Sequence, residues 1–318
     1  MSYFVERKIT VKDFDLVKTM ESEQAFCYEC VDDGPDPIYF VLSGSHTCYV
    51  SARTFGSEVE VSILCALEPE ELEYWLFYFG LTDRDNVENA MAVEVNELLK
   101  DKWPFHREFN NFRGVRVIKE DPWQALVASY LPDTWAAETR RSTLMRLVAS
   151  AMRNCGLENR REMWHFPTAE ELLAIPMCAP PLKNVGPRLQ KMCREAIAQS
   201  YNPYDFTREA GSTVAEASVA TKFLTDLRFN TIVRTIINGF HFSSVYTEEC
   251  VNTAWIGQNM EEIRVFEKEF NSTRGSGTPY SCVSLLYIRI RYQAASKRRE
   301  REKAKYQALK RKAQPAAT

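Results

Sequence analysis

Residues 112–131 read FRGVRVIKEDPWQALVASYL, and the chain changes character inside them. An Asp-Pro step leads directly into an apolar run with helical spacing. Far upstream, residues 1–65 alternate like strands: PIYFVLSG, HTCYVSAR and EVEVSILCAL, separated by Gly, Asp and Ser clusters. From about residue 67 the period turns helical, in EPEELEYWLFYFGL and then VENAMAVEVNELLKD. Downstream of the Asp-Pro step one helical pattern follows another. The plan this predicts is α+β with segregated elements, an N-terminal antiparallel β-layer followed by a mostly helical body and a basic C-terminal helix. The predicted divisions are 1–111, 112–296 and 297–318, with no repeat of fixed period.

Composition sets the class. The chain has 318 residues, 45% apolar and 26% charged, enough for a real core in a globular protein. No run of about 18 apolar residues occurs, so no membrane partner is expected. The start MSYFVERKIT has no apolar signal core. Nine cysteines then read as reduced thiols, and the expected location is the nucleus or the cytoplasm. The net charge of −3 hides an asymmetry. The tail KRREREKAKYQALKRK, 297–312, holds nine basic and two acidic residues, leaving 31 basic against 41 acidic elsewhere. Such a tail is either a solvated helix end or a nuclear-localisation and phosphate-binding segment.

No cofactor or metal is expected. Cys27 and Cys30 in CYEC, with His46 and Cys48, imitate a zinc site, but the His-x-Cys spacing is tight and the cysteines sit in apolar, strand-like sequence. His46, His106, His165 and His241 have no ligand spacing. Neither a phosphate-binding loop, a His-Glu-x-x-His helix, a calcium loop nor a nucleophile elbow occurs.

Several stretches, in order, resemble the eukaryotic 8-oxoguanine DNA glycosylase family of the helix-hairpin-helix superfamily. SEQAFCYEC (22–30) is similar to its Ser-Gly-Gln-x-Phe-Arg-Trp strand. FRGVRVIKEDPWQALVASYL resembles its F-x-G-V-R-L-L-x-Q-D-P opening of the helical domain, and HFPTAEELLAI (165–175) its Phe-Pro-Ser helix. MEEIRVFEKEF and GTPYSCVSLLYIRIRYQ resemble its closing helices. Together they cover most of residues 8–293. The resemblance implies a DNA-binding fold with a base-excision site.

The implied catalytic hairpin falls on FLTDLRFNTIVRTIINGF, 223–240. The family's Leu-Pro-Gly-Val-Gly-x-Lys becomes Leu224, Thr225, Asp226, Leu227, Arg228, Phe229, Asn230. The two lost glycines let backbone amides approach a phosphate, and Asp226 puts negative charge there instead. Asn230 replaces the family's Schiff-base lysine and is not nucleophilic. Nineteen residues on, Glu249 takes the spacing of the family's catalytic Asp and is the candidate carboxylate, able to stabilise an oxocarbenium-like centre or activate water. The implied base-reading set also departs, with Glu23, Thr134, Trp135, Ala136, Arg234, Leu285 and Arg289 at its positions.

LKNVGPRLQKM (182–192) also looks like a DNA-gripping hairpin. In the family's order it falls earlier, as a Gly-Pro helix start with Leu189, Met192 and Ile197 inward and Arg188 and Lys191 exposed. A second register stays open, with Gly186 as hairpin glycine, Arg188 at the lysine position and Asp205 as carboxylate. Candidate DNA contacts are Trp135, Arg140, Arg188, Arg228, Arg234, Lys297, Arg298 and Arg299. Trp135 reads first as a packing residue at a helix start, and Arg140 with Arg141 reads equally as a solvated face. The expected function is DNA binding with impaired or absent base excision and no lysine-dependent lyase step. The alternatives are a monofunctional glycosylase using Glu249 and a protein-interaction scaffold.

Overall fold

The computed structural model describes residues 4–198 apart from 23, 102–109, 111–112, 117, 133–134, 136, 177–182 and 184. A five-stranded antiparallel sheet comes first: β1 (Phe4–Lys12), β2 (Tyr28–Asp32), β3 (Ile38–Ser43), β4 (His46–Phe55) and β5 (Glu58–Ala66), in the spatial order β1-β5-β4-β3-β2. Strands β2 to β5 form a meander, and β1 closes it against β5 with Ile9 opposite Val61. Gly44 and Gly56 take positive φ of 58° and 63° in the two tight hairpin turns, where a glycine relieves the steric penalty.

Both faces of this sheet are covered. Side chains alternate across a strand, so β3 sends Phe40 and Leu42 to one core and Tyr39 and Val41 to the other. The second core is closed by α1 (Leu16–Met20) and α2 (Pro69–Tyr78), with Trp75, Tyr78 and Phe79 fully buried against Val50, Val61 and Ile63. The first is closed by α4 (Pro122–Ser129), α5 (Ala137–Asn154), α6 (Ala169–Ala174) and α7 (Gly186–Ala198), through Leu126, Leu147, Leu172 and Leu189. Helix α3 (Asp83–Leu98) starts on a capping box between Thr82 and Asp85.

The stretch LKNVGPRLQKM holds a helix start. Leu189 and Met192 are buried, and Arg188 and Lys191 are exposed, as expected. Ile197 is a correction. It is 41% exposed, because the inward stripe runs Leu189, Met192, Cys193, Ala196, and Ile197 lies about 100° round the helix from Ala196.

Candidate functional site

The junction between sheet and helices is stitched by the segment before β2. Gln24 donates to Ser22 Oγ (2.7 Å) and to the Arg116 carbonyl (2.8 Å), and its Oε1 accepts from the Ile118 amide at 2.8 Å. The Cys27 carbonyl accepts from the Leu42 amide, which fixes the start of β2 beside β3. Gln24 therefore lies beside Arg116 and Ile118, far away in sequence.

Gly114 makes the approach possible. Its φ is +86°, and a Cβ there would come within 2.8 Å of Asp15 Cβ and 2.9 Å of the Asp15 amide nitrogen. Two residues on, the buried Arg116 guanidinium donates to the carbonyls of Lys12 (2.7 Å), Asp13 (3.0 Å) and Asp85 (3.3 Å) and to Asn86 Oδ1 (3.1 Å). Burial lowers its pKa to about 10, against the pull of Asp13 and Asp85, so it stays charged at neutral pH. Lys119 completes the belt, with Nζ 2.9 Å from both carboxylate oxygens of a nearly buried Asp85.

Asp121 caps α4 by accepting the Gln124 amide at 2.8 Å, and Pro122 occupies the first turn, where its missing N–H costs nothing. Trp123 then donates its indole N–H to the Pro167 carbonyl at 2.8 Å. The Phe166 amide donates to the Gly44 carbonyl at 2.6 Å, so the Asp-Pro step, the Phe-Pro element and the β3–β4 turn meet. Thr168 and Glu171 form the capping box of α6, and His165 Nε2 lies 3.1 Å from both Glu171 carboxylate oxygens.

Of the expected DNA contacts, three are described. Trp135 is half-buried against the helical core, its amide bonded to the Pro132 carbonyl at 3.1 Å. Arg140 is half-buried on α5, and Arg188 is exposed in the first turn of α7. The structure does not bring these three into one cluster through any hydrogen bond or ion pair between them. Glu23, Arg228, Asn230, Arg234, Glu249, Lys297, Arg298 and Arg299 lie outside the described residues, as do Asp205, Leu285 and Arg289.

The zinc imitation dissolves in three dimensions. Cys27 packs into the helical core, Cys48 into the core on the opposite face, Cys30 is exposed, and His46 Nδ1 contacts Glu71 Oε1 at 2.7 Å. Among the described residues no group of three His, Cys, Asp or Glu could hold a metal ion. No helix among them is long and apolar enough to cross a membrane.

Sequence reasoning missed two arrangements. The Arg141 guanidinium lies over the Tyr28 ring at 4.4 Å, and Arg161 pairs with Glu29 at 2.9 Å while facing the Phe40 and Trp164 rings. Glu120, in the charged triplet KED, is fully buried. Its one sequence signal is the Gln that the quoted family motif has before Asp-Pro.

Residues 7–126 match the family model of the 8-oxoguanine DNA glycosylase N-terminal domain. The chain is similar in fold to MBOgg1 solved with a low-affinity DNA ligand, at 15% identity and TM-score 0.59, covering 92% of this chain and 99% of that one. It is similar to the Clostridium acetobutylicum 8-oxoguanine glycosylase/lyase bound to double-stranded DNA with cytosine opposite 8-oxoguanine, at 16% identity and TM-score 0.58, covering 94% and 100%. It is also similar to the 3-methyladenine DNA glycosylase of Archaeoglobus fulgidus, at 12% identity and TM-score 0.53, covering 90% and 98%. No curated protein sequence matches it. The chain thus resembles 8-oxoguanine glycosylases in its N-terminal domain and has an 8-oxoguanine glycosylase-like fold.

Proposed function

We propose that the chain is a nuclear or cytoplasmic DNA-binding protein built on this fold, with base excision impaired or lost and no lysine-dependent strand cleavage. One observation carries the reading. Asn230 stands where the resemblance calls for the nucleophilic lysine, and Asp226 and Arg228 stand where it calls for the hairpin glycines. A carboxamide forms no Schiff base, so the covalent step on an abasic sugar has no nucleophile at that position. Two structural relatives solved with DNA support nucleic acid as the ligand. On this reading Arg140, Arg188, Arg228, Arg234 and Lys297–Arg299 contact phosphates, and Trp135 wedges into the base stack.

The test is borohydride trapping on abasic duplex DNA together with salt-titrated binding. The expected result is binding that weakens steeply with salt, with no covalent adduct. A trapped adduct overturns the loss of lyase chemistry. Binding that ignores salt, or none, overturns the DNA reading and favours the scaffold. Deleting residues 297–318 is expected to flatten the salt dependence. Excision of a damaged base that disappears in Glu249→Gln would instead establish the monofunctional alternative, which rests on the nineteen-residue spacing of Glu249 from Asn230.

A further inference from the structure

Five hydrogen-bond donors converge on the one carboxyl of Glu120. Its Oε2 accepts from the Phe26 amide (3.1 Å) and the Tyr78 hydroxyl (3.2 Å). Its Oε1 accepts from Ser43 Oγ (3.0 Å), the Asp121 amide (3.1 Å) and Gln124 Nε2 (2.9 Å). The donors come from the segment before β2, from β3, from α2 and from the first turn of α4. All are neutral. Among the described residues no Lys, Arg or His nitrogen bonds to this carboxyl, and its neighbour Lys119 is committed to Asp85.

The titratable groups facing it are acids as well. Asp121 lies beside it, Cys27 and Tyr78 are held neutral by burial with the Glu120 charge adding to the effect, and Tyr74 reaches it through Ser43, donating to Ser43 Oγ at 2.8 Å. An anion here has dipoles around it but, among the described residues, no counter-charge, so burial works against the charged form. Burial raises the pKa of Glu120 from 4.5 to about 8, against the donors from Phe26, Ser43 and the Asp121 amide.

The two oxygens are not equivalent. Oε1 faces two donors that cannot reverse. The Asp121 amide is one, and Gln124 Nε2 is the other, because Gln124 is pinned by the Leu42 carbonyl and the Gly44 amide. Oε2 faces one fixed donor and the Tyr78 hydroxyl, whose oxygen can accept. In the neutral acid Oε2 is the oxygen with the fewer fixed donors, and a proton carried there would be donated to Tyr78 Oη, that hydroxyl then accepting instead of donating.

We propose that Glu120 is a proton-operated clasp between the sheet and the helical layer. Neutral, it holds the Phe26–Cys27 segment and α2 against the start of α4. Losing its proton to solvent in mildly alkaline conditions weakens that hold. The neutral acid keeps a lone pair on Oε2 for the Phe26 amide, which the nitrogen of a Gln lacks, and only the acid can be switched. The folded state keeps a proton that the unfolded chain has lost, so stability falls as pH rises from the ordinary carboxylate range through the folded-state midpoint.

The experiment is urea unfolding of the full chain at a series of pH values from about 5 to about 9, for wild type and Glu120→Gln. The expected result is a wild-type midpoint that drops towards the alkaline end more steeply than that of the variant. Equal slopes overturn the clasp. Should the variant not fold, carbon-13 spectra of glutamate-labelled wild type decide. One carboxyl titrating near neutrality or above supports the clasp, and all carboxyls titrating in the ordinary acidic range overturn it.

Discussion

Trp123 and Pro167 lie 44 residues apart, and a 2.8 Å hydrogen bond from the indole Nε1 to the proline carbonyl joins them in the buried core. This one contact locks the start of α4 to the Phe-Pro element. Trp123→Phe keeps an aromatic side chain but gives up the pyrrole ring with its N–H, which leaves the carbonyl unpaired. The expected loss is about 1–3 kcal/mol in urea unfolding at unchanged m-value. A loss below a few tenths would mean that another donor takes the carbonyl.

Gly114 is irreplaceable for two independent reasons, its φ of +86° and the 2.8 Å approach of any added Cβ to Asp15. Backbone strain alone costs about 1–3 kcal/mol, and the collision adds to it. Gly114→Ala is therefore expected to lower the melting temperature by more than Gly56→Ala. Gly56 shares the positive φ but meets open space.

Lys119 and Asp85 form an ion pair with side chains only 5% and 7% exposed. Removing one partner strands the other charge, so Lys119→Met is expected to cost about 3–5 kcal/mol. Adding Asp85→Asn should recover part of that loss. A double variant as unstable as the sum of the singles would show that the pair is not coupled.

Acid is expected to loosen α6. Partial burial works against the Glu171 carboxylate, but the Thr168 amide and His165 prevail and hold its pKa below the ordinary value. A depressed carboxylate adds stability above the unfolded-state pKa and loses it as pH falls through the folded one. Glu171→Gln should flatten the acidic limb of the stability curve while leaving the alkaline limb alone. An unchanged acidic limb in melting scans would exclude this cap as its source.

Much of the architecture was legible. PIYFVLSG is apolar at nearly every position because both faces of β3 are covered, and the Asp-Pro step marked the entry into α4. The helical stripe of α7 was legible except at Ile197, since the chain alone does not say where a helix rotates relative to its neighbours. Glu120 was not legible. Its donors sit at positions 26, 43, 78, 121 and 124, and only the tertiary fold gathers them. The zinc imitation failed for the converse reason, because strand alternation sends Cys27 and Cys48 to opposite faces. The hairpin residues 224–230 and Glu249 lie outside the described residues, so their reading rests on sequence register.

The Arg116 belt has a consequence for how the protein can be divided. The Lys12 and Asp13 carbonyls depend on a guanidinium 104 and 103 residues later, and Gln24 and Tyr78 are bonded to the backbone of residues 116–119. A fragment ending at residue 111 would expose these carbonyls and the underside of the sheet together. A cut at residue 111 parts these carbonyls from their donors, so any fragment that keeps the belt runs at least through Lys119.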